Sequence, residues 1–288
     1  MVDSHLASLG LLAGRTVVLT GAGLSTDSGI PDYRGPGAPV RMPMTYQEFV
    51  ASPRSQQHYW ARAHLGWSRM GAATPNDGHR ALTRLEADGA VSFLITQNVD
   101  GLHERAGQRR MVALHGRVSD VICLDCRTRT HREEMQRRLT EANPGWLEKH
   151  ATAPARPDGD VDLEETSSFA VPDCAVCGGR LKPHVVFFGE NVPRDRVEQS
   201  YAAVDDADAL VVAGSSLSVM SGLRFVRHAA RRGLPVVIVN RGVTRGDDLA
   251  TAKVEAGCSE WLDAWANASG RGDEDVVGCL GVDLGRLA

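Results

Sequence analysis

Arg15-Thr16-Val17-Val18-Leu19-Thr20-Gly21-Ala22-Gly23 is a short β-favouring run that ends on a tight glycine turn. Almost wholly apolar runs of this length suit strands buried on both faces of a parallel sheet. Three further stretches have the same form. They are Val91-Ser92-Phe93-Leu94-Ile95-Thr96, then Ala209-Leu210-Val211-Val212-Ala213 before Gly214-Ser215-Ser216, then Pro235-Val236-Val237-Ile238-Val239 before Asn240-Arg241-Gly242. Helical segments such as Leu223 to Arg232 lie between them. Strands alternating with helices predict an α/β fold with a doubly wound, Rossmann-like parallel sheet. Ligands of such sheets bind beyond the carboxyl ends of the strands, where these polar loops gather.

Two segments interrupt the alternation. Residues 44–84, with Trp60 and Trp67, have helical character; residues 118–182 carry four cysteines and a Pro/Asp/Gly-rich stretch around Ala153–Asp162. The expected organisation is a discontinuous nucleotide-binding domain of residues 1–43, 85–117 and 183–266. A helical insertion (44–84) and a zinc-binding insertion (118–182) form a smaller domain, and residues 267–288 form a tail. The chain has 288 residues and a formal net charge of -4, so no global positive field draws it to nucleic acid or an anionic membrane. No stretch reaches the roughly 20 apolar residues of a membrane span. Met1-Val2-Asp3-Ser4-His5 lacks the basic and apolar regions of a secretory signal, so a cytoplasmic location is expected. The basic residues are almost all arginine, with lysine only at 149, 182 and 253. Arginine does not titrate near neutrality, so proton transfer falls to other side chains.

Four of the six cysteines form two C-x-x-C pairs, Cys123/Cys126 and Cys174/Cys177. Four thiolates satisfy tetrahedral zinc and leave no open position, which makes such a site structural. A disulfide pair or a redox C-x-x-C are the other readings; paired motifs in a cytoplasmic chain favour metal.

Gly21-Ala22-Gly23-Leu24-Ser25-Thr26 resembles a dinucleotide turn, in which backbone N–H groups approach a pyrophosphate and a following helix N-terminus favours negative charge. Thr26 stands at the third glycine position, and no acidic residue lies in register to bind a ribose, which disfavours a dehydrogenase. Ser28-Gly29-Ile30-Pro31-Asp32-Tyr33-Arg34-Gly35 gathers a carboxylate, an aromatic ring and a guanidinium in one loop. Thr96-Gln97-Asn98-Val99-Asp100 puts amide and carboxylate groups at a strand end, where turn and capping chemistry is the alternative. His115, in Leu114-His115-Gly116, is the candidate general base, since an ordinary imidazole pKa near 6.5 suits reversible proton transfer.

These blocks, with Val185-Val186-Phe187-Phe188-Gly189-Glu190, Gly214-Ser215-Ser216-Leu217 and Asn240-Arg241-Gly242, resemble the signature blocks of sirtuins, in family order, from about Leu11 to about Leu262. The long spacer between cysteine pairs and Gly29-Ile30-Pro31-Asp32-Tyr33-Arg34 are similar to the class II branch, which includes a mitochondrial lipoamidase/ADP-ribosyltransferase-type sirtuin. The resemblance implies an NAD-dependent protein-lysine deacylase that consumes NAD as co-substrate and acts on acyl-lysine proteins. It implies catalytic roles for His115, Asn98 and Asp100. It implies NAD contacts from Gly21, Ala22, Gly23, Ser25, Asp32, Tyr33, Arg34, Gln97, Asn98, Asp100, Gly214, Ser215, Ser216, Asn240, Arg241, Gly242 and the Cys258 backbone. Val186 and Phe187 would pair with the substrate backbone by strand addition, and one structural zinc would sit on Cys123, Cys126, Cys174 and Cys177. Protein ADP-ribosyl transfer and a non-catalytic zinc-containing NAD-binding module are the competing functions. In the class II branch a Tyr-x-x-Arg pair clamps acidic acyl groups. Tyr59 and Arg62 have that spacing, but anchoring on Trp60 shifts the pair to Arg62 and Leu65, so no preference for acidic acyl groups is expected.

Overall fold

The computed structural model describes residues 10–12, 14–32, 43–150, 163 and 165–269. Tyr33 and Arg34 lie outside them. The central strand, β1 (Thr16–Thr20), is buried along its whole length. It is flanked by β2 (Val91–Thr96) and by a later strand, Ala209–Ala213, both parallel to it. Side chains alternate across a strand, and the two faces bury different partners. Val18 packs with Leu82, Leu85, Trp261 and Trp265; Val17 and Leu19 pack with Val204, Leu223, Phe225 and Val226. Burying such aliphatic side chains contributes about 1.5–3 kcal/mol each, so a strand of this kind has no stable position except the middle of the sheet.

Among the described residues three α-helices precede β2: α1 (Tyr46–Ala51), α2 (Pro53–Ala72) and α3 (Asp77–Ala87). α1 and α3 each open on a capping box, from Thr45 with Glu48 and from Asn76 with His79, which satisfies otherwise orphaned first-turn N–H groups. Then follow α4 (Leu102–Ala106), β3 (Met111–Ala113), β4 (Gly116–Cys123), β5 (Arg129–His131), α5 (Arg132–Ala142) and α6 (Trp146–Lys149). The chain continues through β6 (Leu181–Val185), α7 (Arg194–Asp205), β7 (Ala209–Ala213), α8 (Met220–Arg231), β8 (Val236–Val239), β9 (Ala252–Val254) and α9 (Cys258–Ser269).

The large sheet has the order β3-β2-β1-β7-β8-β9, with every neighbouring pair parallel. This is the doubly wound order, and it reverses direction between β1 and β7. The edge strands β3 and β9 have three residues each and were not expected from the sequence. A second sheet, β5-β4-β6, is antiparallel. Its core gathers Trp60, Leu65, Val121, Met135, Leu139, Trp146, Phe169 and Leu181. Trp60 Nε1–H donates to the Leu181 carbonyl at 3.0 Å, and the buried Arg132 guanidinium lies 5.3 Å from the Trp60 ring and 4.9 Å from that of Trp67. Burial pushes the Arg132 pKa down to about 10, still far above neutrality, and the ring faces supply part of the solvation it has lost.

Packing divides the 44–84 segment. α2 faces the small sheet, whereas Ala81, Leu82 and Leu85 of α3 join the core of the large one beside α9. α9 also runs to Ser269, three residues into the segment expected as a tail.

The loops after β1 and β7 meet backbone to backbone. Gly23 N–H donates to the Gly214 carbonyl at 2.9 Å, and Gly214 has φ 67°. A Cβ on Gly214 would stand 2.4 Å from Leu24 N and 2.7 Å from Gly23 C, both backbone atoms that cannot swing aside. Gly214→Ala is therefore expected to lower unfolding stability by about 2 kcal/mol or more and to abolish nucleotide binding. Urea unfolding and an NAD titration check this, and wild-type values for both would contradict the contact.

Candidate active site and metal centre

A cleft of about 1190 Å³ opens at the carboxyl end of the large sheet, between it and the small sheet. Its walls include Gly21, Ala22, Gly23, Ser25, Asp32, Gln97, Asn98, Asp100, His115, Val186, Phe187, Gly214, Ser215, Ser216, Asn240, Arg241 and Gly242. The topological switch point thus brings together loops that are far apart in sequence. The Cys258 thiol packs behind Gly214, 3.1 Å from where a Cβ would lie, and burial pushes its pKa up to about 12.

The glycine turn is not followed by the expected helix. Two single 3-10 turns, Ala22–Leu24 and Thr26–Ser28, take its place. The residues explain this: the Thr26 hydroxyl bonds back to the Gly23 carbonyl at 2.9 Å, and Gly29 at φ 80° precedes Ile30-Pro31. Local side-chain bonds, a left-handed glycine and a proline all oppose a continuing helix. Any phosphate at this turn meets loop N–H groups rather than an α-helix dipole.

One hydrogen-bonded chain ties the cleft floor together. Asn98 Nδ2 donates to the Gly21 carbonyl and to Ser25 Oγ, both at 3.0 Å, and Ser25 Oγ–H donates to Asp100 Oδ2 at 2.7 Å. Leu102 N–H caps the other carboxylate oxygen at 2.9 Å. Burial pushes the Asp100 pKa up, while these two donors pull it back. Gln97 Nε2 donates to Ser215 Oγ at 2.8 Å, joining the loops after β2 and β7. Leu217, in the same β7 loop, is held at φ 54°, a left-handed conformation that costs a non-glycine residue about 1–2 kcal/mol.

His115 Nδ1 lies 2.9 Å from the Gln97 carbonyl, and Nε2 lies 2.8 Å from Ser221 Oγ. A carbonyl only accepts, so Nδ1 carries the proton and Nε2 keeps the lone pair. Burial pushes the pKa down to about 4, with the Gln97 carbonyl opposing and Arg196 assisting. The ring is therefore neutral at pH 7, which a base requires. Ser221 and Arg196 were not singled out in the sequence; neither stands in a motif, and only the fold brings them to His115.

Val186 N–H donates to the His115 carbonyl at 2.8 Å, and Phe187 N–H to Glu190 Oε2 at 2.7 Å. A peptide adding as a strand here therefore cannot use those two donors. Lys182 Nζ lies 2.9 Å from the same Glu190 oxygen and 4.4 Å from the Phe187 ring centre, which clamps the segment from behind.

The four cysteine sulfurs lie within 4.8 Å of one another. Cys123–Cys177 and Cys126–Cys174 are 3.6 and 3.7 Å apart. Tetrahedral zinc with Zn–S of about 2.3 Å requires sulfur–sulfur distances of about 3.8 Å, so the donor set and its spacing fit structural zinc. Expected from this geometry is one zinc per chain by elemental analysis, with Cys123→Ser lowering metal content and thermal stability together. A stable, active protein without metal would contradict it.

Among the described residues no helix is long and apolar enough to cross a membrane. A profile of the Sir2 family matches residues 21–221. NAD-dependent protein deacetylase 1 of Mycobacterium avium (strain 104) is 54% identical over 256 residues, covering 88% of this chain and 91% of that protein. NAD-dependent protein deacetylase 1 of Streptomyces coelicolor is 54% identical over 248 residues, covering 85% and 82%. Among solved structures, a Sir2–p53 peptide–NAD+ complex matches with a TM-score of 0.72 at 30% identity, covering 94% of this chain and 99% of that one. Sir2 bound to acetylated peptide matches with a TM-score of 0.72 at 31% identity, covering 92% and 98%.

Proposed function

The chain belongs to the Sir2 family, and on that premise we propose that it is an NAD-dependent protein-lysine deacylase that releases nicotinamide, free lysine and O-acyl-ADP-ribose. The observation that carries the reading is the neutral imidazole of His115, lone pair on Nε2, in the cleft with the Asn98–Ser25–Asp100 chain. NAD, consumed as co-substrate, supplies an electrophilic ribose carbon and a ribose hydroxyl. The close-packed turns at Gly21–Gly23 and Gly214–Ser216 form the phosphate cradle, with Asn240, Arg241 and Gly242 on the adenosine side and Asp32 of the cleft wall beside the nucleotide. Gln97 lies near the ribose, and Asn98 and Asp100 line the nicotinamide pocket. His115 takes the proton of the hydroxyl that attacks the acyl carbon. A neutral amide is a poor nucleophile, so alignment in a cleft that excludes water carries much of the first step. Zinc on Cys123, Cys126, Cys174 and Cys177 is structural in this reading.

The same reading divides the chain into a nucleotide-binding lobe (1–43, 85–117, 183–266) and a small lobe (44–84, 118–182), with α3 assigned to the larger by its packing. Acyl-lysine proteins are the partners, a cytoplasmic location suits four thiols spaced for metal, and the long cysteine spacer with Gly29-Ile30-Pro31-Asp32-Tyr33-Arg34 supports a likeness to the class II branch.

His115→Ala is expected to lower deacetylation at least about 100-fold while NAD binding and nicotinamide exchange persist, because the base acts after nicotinamide has left. In the wild type a pKa about 4 keeps the base neutral well below the ordinary histidine range. kcat/KM should therefore hold as pH falls from 7 to 6 and be lost only as pH approaches that value. Full deacetylase activity in the variant, by mass spectrometry of peptide and O-acetyl-ADP-ribose, would overturn the assignment.

Tyr59 and Arg62 both line the cleft, whereas Leu65 is buried in the small-lobe core. Tyr59 packs edge-on to Phe49 and Trp60, and Arg62 Nη1 is bonded to His58 Nε2 at 2.9 Å. We expect acetyl and longer neutral acyl groups to be accepted with no strong preference for acidic ones. In one peptide sequence, kcat/KM for succinyl-lysine should not exceed that for acetyl-lysine by tenfold, about 1.4 kcal/mol in transition-state binding. A larger succinyl preference that Arg62→Met erases would show that the pair acts as a carboxylate clamp.

A further inference from the structure

The lone pair of the base does not face an empty cleft. In the described geometry it points at Ser221 Oγ, 2.8 Å away. A neutral imidazole has one such lone pair, and with Nδ1–H held by the Gln97 carbonyl it can only be the one on Nε2. The Ser221 hydroxyl therefore donates into it. Ser221 lines the cleft from the first turn of α8, partly exposed to it. The next residue abuts the group that holds the other side of the ring: a Cβ on Gly222 would stand 2.5 Å from Gln97 Oε1. One helical turn thus touches the base through Ser221 and its anchor residue through Gly222. The other charged group set against the ring is Arg196 of α7, whose Nη1 reaches the Leu114 carbonyl at 3.4 Å. Arginine does not exchange protons near neutrality, so Ser221 is the exchangeable hydroxyl at the ring.

We propose that Ser221 is the hydroxyl through which His115 receives its proton. This rests on the deacylase reading and adds a residue to it. In the step, the O–H bond of the attacking hydroxyl breaks and its proton bonds to Ser221 Oγ. At the same time the Ser221 Oγ–H bond breaks and that proton bonds to His115 Nε2. Serine ends as a neutral hydroxyl, the imidazole as a cation, and the attacking oxygen keeps the electron pair for the acyl carbon. A hydroxyl both donates and accepts, so Ser221 donates to Nε2 before transfer and accepts from Nε2–H after it, and the ring stays seated in both states.

The test uses Ser221→Ala and Ser221→Thr in the full chain. Ser221→Ala should lower kcat for deacetylation by about 100-fold, the low end of what a positioned proton-transfer group contributes, with KM for NAD and peptide within twofold. Nicotinamide exchange, which precedes the proton transfer, should persist, and Ser221→Thr, which keeps the hydroxyl, should restore kcat. A readout independent of turnover is the 15N NMR signal of His115 Nε2 in the ligand-free protein. It should move toward that of a non-bonded imidazole nitrogen in Ser221→Ala and stay in place in Ser221→Thr. Wild-type kcat in Ser221→Ala, an unmoved Nε2 signal, or equal loss in both variants overturns the relay. A wild-type protein with neither exchange nor deacetylation would instead overturn the deacylase reading itself.

Discussion

Two backbone loops touch where the strand order of the large sheet reverses, and the site is built on that contact. Gly21 N–H reaches the Ala213 carbonyl at 3.0 Å and Gly23 N–H the Gly214 carbonyl at 2.9 Å, so the turns after β1 and β7 are laced by main-chain bonds. A Cβ on Gly21 would lie 2.7 Å from Gly214 O, and one on Gly23 would lie 3.0 Å from it. The glycines are needed because the partner at each position is backbone and cannot move aside. Asn98 then bonds to the Gly21 carbonyl and Gln97 to Ser215, so the loop after β2 takes its place from the first two. The order of assembly runs from buried strands, to touching turns, to functional side chains.

That hierarchy explains what could be read in the sequence. The four strands buried on both faces announce themselves as apolar runs, because each is solvated by protein on every side. The edge strands β3 and β9 have three residues and one sheet neighbour each, too short for a period to show. The antiparallel strand β4 begins Gly116-Arg117-Val118-Ser119-Asp120, half-polar at its cleft end, and so lacks the continuous apolar run of the central strands. α3 reads as part of a helical insertion until its Leu82 and Leu85 are seen against Trp261 and Trp265, a contact across some 180 residues. Of the site, the motif loops were legible because their small and polar residues follow strand ends. Ser221 was not: a serine in the first turn of a helix is an ordinary residue, and its meaning depends on His115 lying opposite.

Charge burial sets the chemistry of the cleft. His115 and Asp100 are both moved toward their neutral forms by loss of water, the imidazole downward and the carboxyl upward. Each is then held by directional bonds, His115 by the Gln97 carbonyl and Ser221, Asp100 by Ser25 and Leu102. Desolvation alone would leave such groups mobile, and hydrogen bonds alone in water would be worth little. Together they fix the tautomer of the His115 ring and the orientation of the Asp100 carboxyl, the kind of preorganisation that proton transfer needs.

The small sheet extends this control to a distance. β4 starts at Gly116, the residue after His115, and ends at Cys123 in the thiol cluster. At about 3.3 Å per residue its eight residues span about 25 Å. Gly116, at φ 83°, sits where a Cβ would be 2.1 Å from the His184 carbonyl, so the strand crosses β6 closely at the cleft end. At the far end, Cys123 N–H is bonded to the Thr128 carbonyl and Leu124 N–H to the Arg180 carbonyl, which ties both cysteine knuckles to the same two strands. β6 leads on from there to Val186, whose N–H returns to the His115 carbonyl. The path is a closed loop of backbone, from His115 to the thiol cluster and back to Val186. A metal held by the four thiols would fix that distant end, and with it the pairing of β4 and β6 on which the position of His115 rests.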